Sequence, residues 1–153
     1  MARFRPERGL YIVGVLALAA ITAAWGAERS HEATGPAVVR LTDLQTSLAT
    51  MAGKSDGVGT VEIATLKLFG GTRAIGQAVL TCMVVSKTQQ NCNGSYLLPR
   101  GMIETSGLLN SRLLYTAAIT GGTGLYDNAR GTLTVTSRGL HPRRELLLFR
   151  LSG

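Results

Sequence analysis

The chain has 153 residues, 45% of them apolar, with 16 lysines and arginines against 9 aspartates and glutamates, two cysteines and two histidines. Two isolated thiols lack the second ligand pair of a structural zinc site, and with no C-x-x-C spacing they form no dithiol redox motif. A net charge of +7 with 5% aromatic residues provides no interleaving of rings with basic residues, the pattern of single-strand nucleic-acid binders, so no nucleic-acid partner is expected.

Residues 1–26 read as a targeting segment. Arg3, Arg5 and Arg8 form a basic head, an uncharged run from Leu10 to Ala24 follows, and small Ala24 and Gly26 stand where a signal peptidase reads −3 and −1. The run is near the lower limit of roughly 17–20 residues for a spanning helix, so retention as an anchor is the alternative to cleavage. Either route exports the remainder, and the membrane is met only through this segment. Without the first 26 of 153 residues, 127 remain, with 13 basic against 8 acidic side chains. That is one domain with a core able to stand alone. Residues 27–56 are its lead and first strand, and 57–153 the rest of it.

Beyond a short polar lead, apolar residues recur with period two between turn signals. Segment 37–50 is mixed, a first strand followed by something irregular, and 54–59 is a loop. A strand over 60–69 meets the tight turn Gly70-Gly71-Thr72-Arg73, and 74–86 is a long strand with Gly76 as a candidate bulge. Next come 91–98, the turn Pro99-Arg100-Gly101, and 102–109, closed by Asn110-Ser111-Arg112. Segments 113–120, 131–138 and 144–152 complete about eight strands with short connections, the pattern of an up-and-down barrel or a sandwich. No long amphipathic helix and no internal repeat is visible.

Cys82 and Cys92, in an exported chain, form a disulfide by default. Their spacing suits two adjacent antiparallel strands closing over the loop Ser86-Lys87-Thr88-Gln89-Gln90. The basic stretch 138–150, with Arg138, His141, Arg143, Arg144 and Arg150, reads as a solvated turn and the outer face of a last strand.

Between two alternating runs stands Ile119-Thr120-Gly121-Gly122-Thr123-Gly124-Leu125-Tyr126-Asp127-Asn128-Ala129-Arg130-Gly131. Its glycines allow a sharp strand-to-strand connection. It is no phosphate cradle, because it lacks G-x-x-x-x-G-K-[ST] and opens no helix. This segment resembles the GGTG-x-[FY]-x-x-A-R-G turn of the allene oxide cyclase and dirigent-like β-barrel superfamily. Three further blocks share the resemblance: Gly70 through Gln77; Asn91-Cys92-Asn93-Gly94-Ser95-Tyr96-Leu97-Leu98-Pro99-Arg100-Gly101, similar to small exported bacterial members; and Met102-Ile103-Glu104 with Gly107. It runs from about Gly57 to the C-terminus. It implies an all-β fold, an eight-stranded antiparallel calycin-like barrel whose apolar lumen opens at one end. It also implies chemistry in which the protein holds a reactive apolar molecule in one shape, to isomerise, cyclise or couple it, with no cofactor. Plant members commonly trimerise, so an oligomer is a further expectation.

The site candidates follow from alternation. Met102, Glu104 and Ser106 share one face of their strand and Ile103, Thr105 and Gly107 the other. Glu104 is the catalytic candidate if its face is inward, because an apolar lumen disfavours the charged form of a carboxylate. The opposite reading turns Glu104 to water and packs Ile103 inside. Glu62 carries the same ambiguity. Tyr96 and Tyr115 are candidate ligand-binding hydroxyls, or half-buried barrel aromatics. Gly121, Gly122, Gly124, Tyr126, Arg130 and Gly131 are given structural roles in the turn, Arg130 bonding loop carbonyls or Asp127 and Tyr126 covering the barrel end. With histidines only at 31 and 141, no Ser-His-acid arrangement is supported, and no metal site is expected. The functions left are an enzyme acting on a small hydrophobic ligand, a carrier with no ionisable group in its lumen, and a structural or surface-interaction barrel filled by its own side chains.

Overall fold

A computed structural model describes residues 36–152, apart from 55–56, 111–112 and 141–142. The targeting segment, its cleavage site and both histidines lie outside the described residues. The eight strands are β1 (Val38–Met51), β2 (Val61–Gly70), β3 (Arg73–Ser86), β4 (Gln89–Leu98), β5 (Gly101–Leu109), β6 (Leu114–Gly124), β7 (Arg130–Leu140) and β8 (Arg143–Ser152). Each pairs antiparallel with its neighbours in sequence, and β8 returns to β1 through pairs running from Val38 with Arg150 to Thr42 with Leu146. The sheet is therefore a closed barrel with no free edge to guard.

The period-two pattern decides which side chains enter it. On β6, Tyr115, Ala117 and Ile119 are buried while Leu114, Thr116, Ala118 and Thr120 are exposed; on β8, Glu145, Leu147 and Phe149 are buried while Arg144 and Arg150 are exposed. Leu68, Tyr96, Ile103, Leu133, Leu147 and Phe149 fill one half of the interior. The Tyr96 and Phe149 rings meet edge to face, with centroids 5.0 Å apart. In such a geometry the positive edge of one ring faces the negative face of the other.

The strand pairs described contain five register shifts, and two of them bear on the expected strands β1 and β3. In β1, Thr46 is an extra residue between Gln45, opposite Leu66, and Ser47, opposite Thr65. In β3 the register slips by Ile75, next to the glycine expected to mark a bulge. β6 is longer than the 113–120 expected, because Gly121–Gly124 pair with β5 and do not form a free turn. A β-carbon at Gly122 would strike the carbonyl oxygen of Tyr126. Gly124 has φ of 64°, where a side chain is strained, and its β-carbon would meet the Arg100 carbonyl.

The connections fall at two ends. The β2–β3, β4–β5 and β6–β7 turns share one end with the start of β1 and the finish of β8; the other connections share the opposite end. The first end is closed. Tyr126 and Ala129 are buried there, and the Leu125 amide donates to the Arg100 carbonyl at 2.8 Å, which ties two of the turns together. Arg130 Nη1 donates to the Ala129 carbonyl at 2.9 Å.

Candidate functional site in the lumen

The other half of the barrel holds a cavity of about 660 Å³ that reaches the opposite end. Its apolar wall comes from Ala64 and Leu66 on β2, Leu80 on β3 and Leu109 on β5, with Gln45, Gln89, Gln90 and Asn110 toward the mouth. Cys82 and Cys92 also line it; they face one another in the β3–β4 register and form the expected disulfide, with Cα atoms 4.0 Å apart.

Into this wall β1 and β8 bring two carboxylates. Asp43 is 2% exposed and Glu145 3%. Asp43 is in phase with inward Leu41, and Glu145 with inward Leu147 and Phe149. The backbone N–H of Glu145 donates to Asp43 Oδ1 at 2.8 Å, so the first and last strands are joined by the carboxylate itself. Tyr115, from β6, points its hydroxyl at Glu145 Oε2 at 3.4 Å, a long contact. Glu62 completes the acidic lining. Among the described residues no group of three or more His, Cys, Asp or Glu is arranged to hold a metal ion.

Under this cluster lies Tyr96. Burial pushes its pKa far up, and the negative charges of Asp43 and Glu145 push the same way; hydrogen bonding with Thr105 opposes them. The Tyr96 hydroxyl is therefore neutral, a fixed dipole at the base of the site. The arrangement offers a hydrogen-bonded carboxylate, a second carboxylate beside a phenol, and an apolar surface facing all three. That is equipment for taking a proton from a bound molecule and returning one.

The structure distributes the sequence candidates as follows. Tyr115 and Glu62 line the cavity, and Tyr96 is packed beneath it. Glu104 is on the outer face of β5: Ile103 and Thr105 on either side are buried, and Glu104 Oε2 accepts from the Ser95 hydroxyl at 2.9 Å across the outside of the sheet. The inward choice at that strand goes to Ile103, whose transfer from water is favourable where that of a carboxylate is costly. Gly121, Gly122, Gly124, Tyr126, Arg130 and Gly131 belong to β6, β7 and the closed-end turn. Sequence reasoning missed Asp43 and Glu145. The available signal was an acid occupying one beat of an inward apolar alternation, Val39-x-Leu41-x-Asp43 and Glu145-x-Leu147-x-Phe149.

No protein-family model matches the chain, and neither does any curated protein. Solved structures do match. A pyocyanin demethylase is similar at 26% identity and a TM-score of 0.65, over 72% of this chain and 97% of its own. The pterocarpan synthase dirigent protein GePTS1 matches at 15% identity and a TM-score of 0.59, over 74% of this chain and 84% of its own. A Diels Alderase from Streptomyces koyangensis matches at 15% identity and a TM-score of 0.56, over 97% of this chain and 85% of its own. The strand order, the closed antiparallel ladder and these matches together show that the chain shares the eight-stranded barrel fold of these proteins, dirigent proteins among them.

Proposed function

We propose that the barrel takes a small hydrophobic molecule into its lumen and isomerises or cyclises it by proton transfer through Asp43 and Glu145. The observation that carries this reading is the pair of carboxylates, 2% and 3% exposed, set into the wall of a cavity of about 660 Å³. Burying an ion costs several kcal/mol even after relaxation, so a barrel that only had to pack would place leucine at both positions. The volume lies within the ~300–1,000 Å³ typical of small-molecule sites.

The chemistry balances with no added reagent. One carboxylate of the pair takes a proton from the ligand, electrons shift through the ligand's conjugated frame, and the same carboxyl returns that proton at a second position, so that the pair ends the turnover as it began it. The apolar wall of Leu66 and Leu80 holds the ligand in a reactive shape, and such positioning removes a substantial part of a barrier. The solved neighbours support this use of the scaffold, since their names are those of a demethylase, a dirigent synthase and a Diels Alderase. The first of them is named for demethylating a single compound, pyocyanin, which favours a small molecule as the ligand here. The reading includes export by residues 1–26, with which the Cys82–Cys92 disulfide agrees.

Native mass spectrometry of the full chain purified from its own source is the test. A retained small apolar molecule, lost in Asp43→Asn or Glu145→Gln or held by them unconverted, is the expected result. A ligand held without conversion by the wild type would leave a carrier, and a chain with no retained ligand and no affinity for apolar probes would leave a structural barrel.

A further inference from the structure

The closed end of the barrel collects positive charge for which the lumen has no use. Topology brings Arg73 from the β2–β3 turn, Arg100 from the β4–β5 turn, Arg130 from the start of β7, and Arg40 and Arg150 from the paired strands β1 and β8 to this end. All five side chains are exposed, and the acids beside them among the described residues are Asp127 and Glu104, the latter paired across β5–β6 with Gly121, against which Arg130 lies. Among the described residues none of the five forms an ion pair. At the mouth the balance differs, because Lys54, Lys87, Arg138 and Arg144 share their end with Asp43, Glu62 and Glu145.

We infer that this end docks on an anionic phospholipid surface, with the mouth of the lumen turned away from the bilayer. Guanidinium groups match phosphate oxygens in a two-point geometry, which a ring of arginines on three turns presents outward. The same end exposes Val38 and Leu97, at 57% and 49%. Apolar side chains beside a basic cluster supply the second of the two weak attractions that stable surface attachment needs. Phospholipid is favoured over other polyanions by where the chain enters. β1 begins at this end, and the uncharged run from Leu10 to Ala24 precedes it. From Gly26 to Pro36 is ten residues, a reach of at most roughly 35 Å. A bilayer that holds the run thus holds this end close, and a barrel cut free of it keeps the arginines.

The test uses the full chain floated with vesicles of phosphatidylcholine alone and of phosphatidylcholine with phosphatidylglycerol at 7:3. The wild type is expected to prefer the anionic vesicles, and less so as salt is raised. The triple substitution Arg73→Gln, Arg100→Gln, Arg150→Gln is expected to lose roughly a hundredfold of that preference. A second triple, Lys54→Gln, Lys87→Gln, Arg144→Gln, makes the same change in charge at the mouth and is expected to retain it. Circular dichroism checks that each is folded; if the first triple is not, the single Arg73→Gln and Arg100→Gln chains are each expected to lose about fivefold. Equal loss from both triples, equal binding to both vesicles, or displacement by free inorganic phosphate at constant ionic strength would overturn the inference.

Discussion

In the proposed reaction Asp43 carries a chemical duty beside its structural one, and substitutions separate them. Asparagine keeps a carbonyl oxygen for the Glu145 amide but no longer takes a proton. Asp43→Asn is therefore expected to fold and to lose about 10²–10⁴ in turnover once a substrate is found, as is Glu145→Gln. Asp43→Ala also strands a buried amide, and denaturant unfolding should show a loss of about 1–3 kcal/mol. Glu104→Gln, on the outer face, should change ligand affinity little and stability by no more than about 0.5 kcal/mol. Tyr96 predicts an alkaline limit. Its folded-state pKa lies above the unfolded value, so the native state holds a proton that the unfolded chain releases near pH 10. Its contribution is complete below that pH and falls by about 1.4 kcal/mol per pH unit above it. Tyr96→Phe should remove that slope from a urea-melt series between pH 9 and 11, and an unchanged slope would refute the assignment.

Among the elements, β1 shows why the strands were legible in the sequence and the site was not. Alternation between turn signals located all eight strands to within a few residues, because each has one wet and one dry face. β1 read as mixed because Thr46 shifts the phase, so that Asp43 and Gln45 face the cavity on one count and Leu48 on the next. Glu145 stands beside Arg143 and Arg144, and that basic company read as a solvated turn. Period two says which residues share a face but not which face is inward, and that ambiguity hid the outward placement of Glu104. The glycines after Ile119 read as a turn; the residues that turn are 125–129, and Gly121–Gly124 continue β6 in close contact with other backbone. Gly124→Ala is expected to cost about 1–3 kcal/mol from its positive φ alone. Replacing Cys82 and Cys92 together by alanine should cost about 2–3 kcal/mol, since the bridge closes a short loop in the unfolded chain. Equilibrium denaturation under oxidising conditions reads both values.

As a whole molecule, the barrel divides its length between two uses. Tyr96, Phe149, Leu133 and their neighbours fill the closed half as a solid core, and the mouth half keeps the cavity. Packing and cavity thus occupy different layers, and acids could enter the upper layer without emptying the lower one. The plugged end also imposes a traffic rule. A cul-de-sac has one doorway, so under the proposed reaction whatever is made must leave by the route its precursor came in. Spent molecules and fresh ones then compete for the same vestibule of Gln89, Gln90 and Asn110. Steady-state assays should accordingly show product acting as a purely competitive inhibitor.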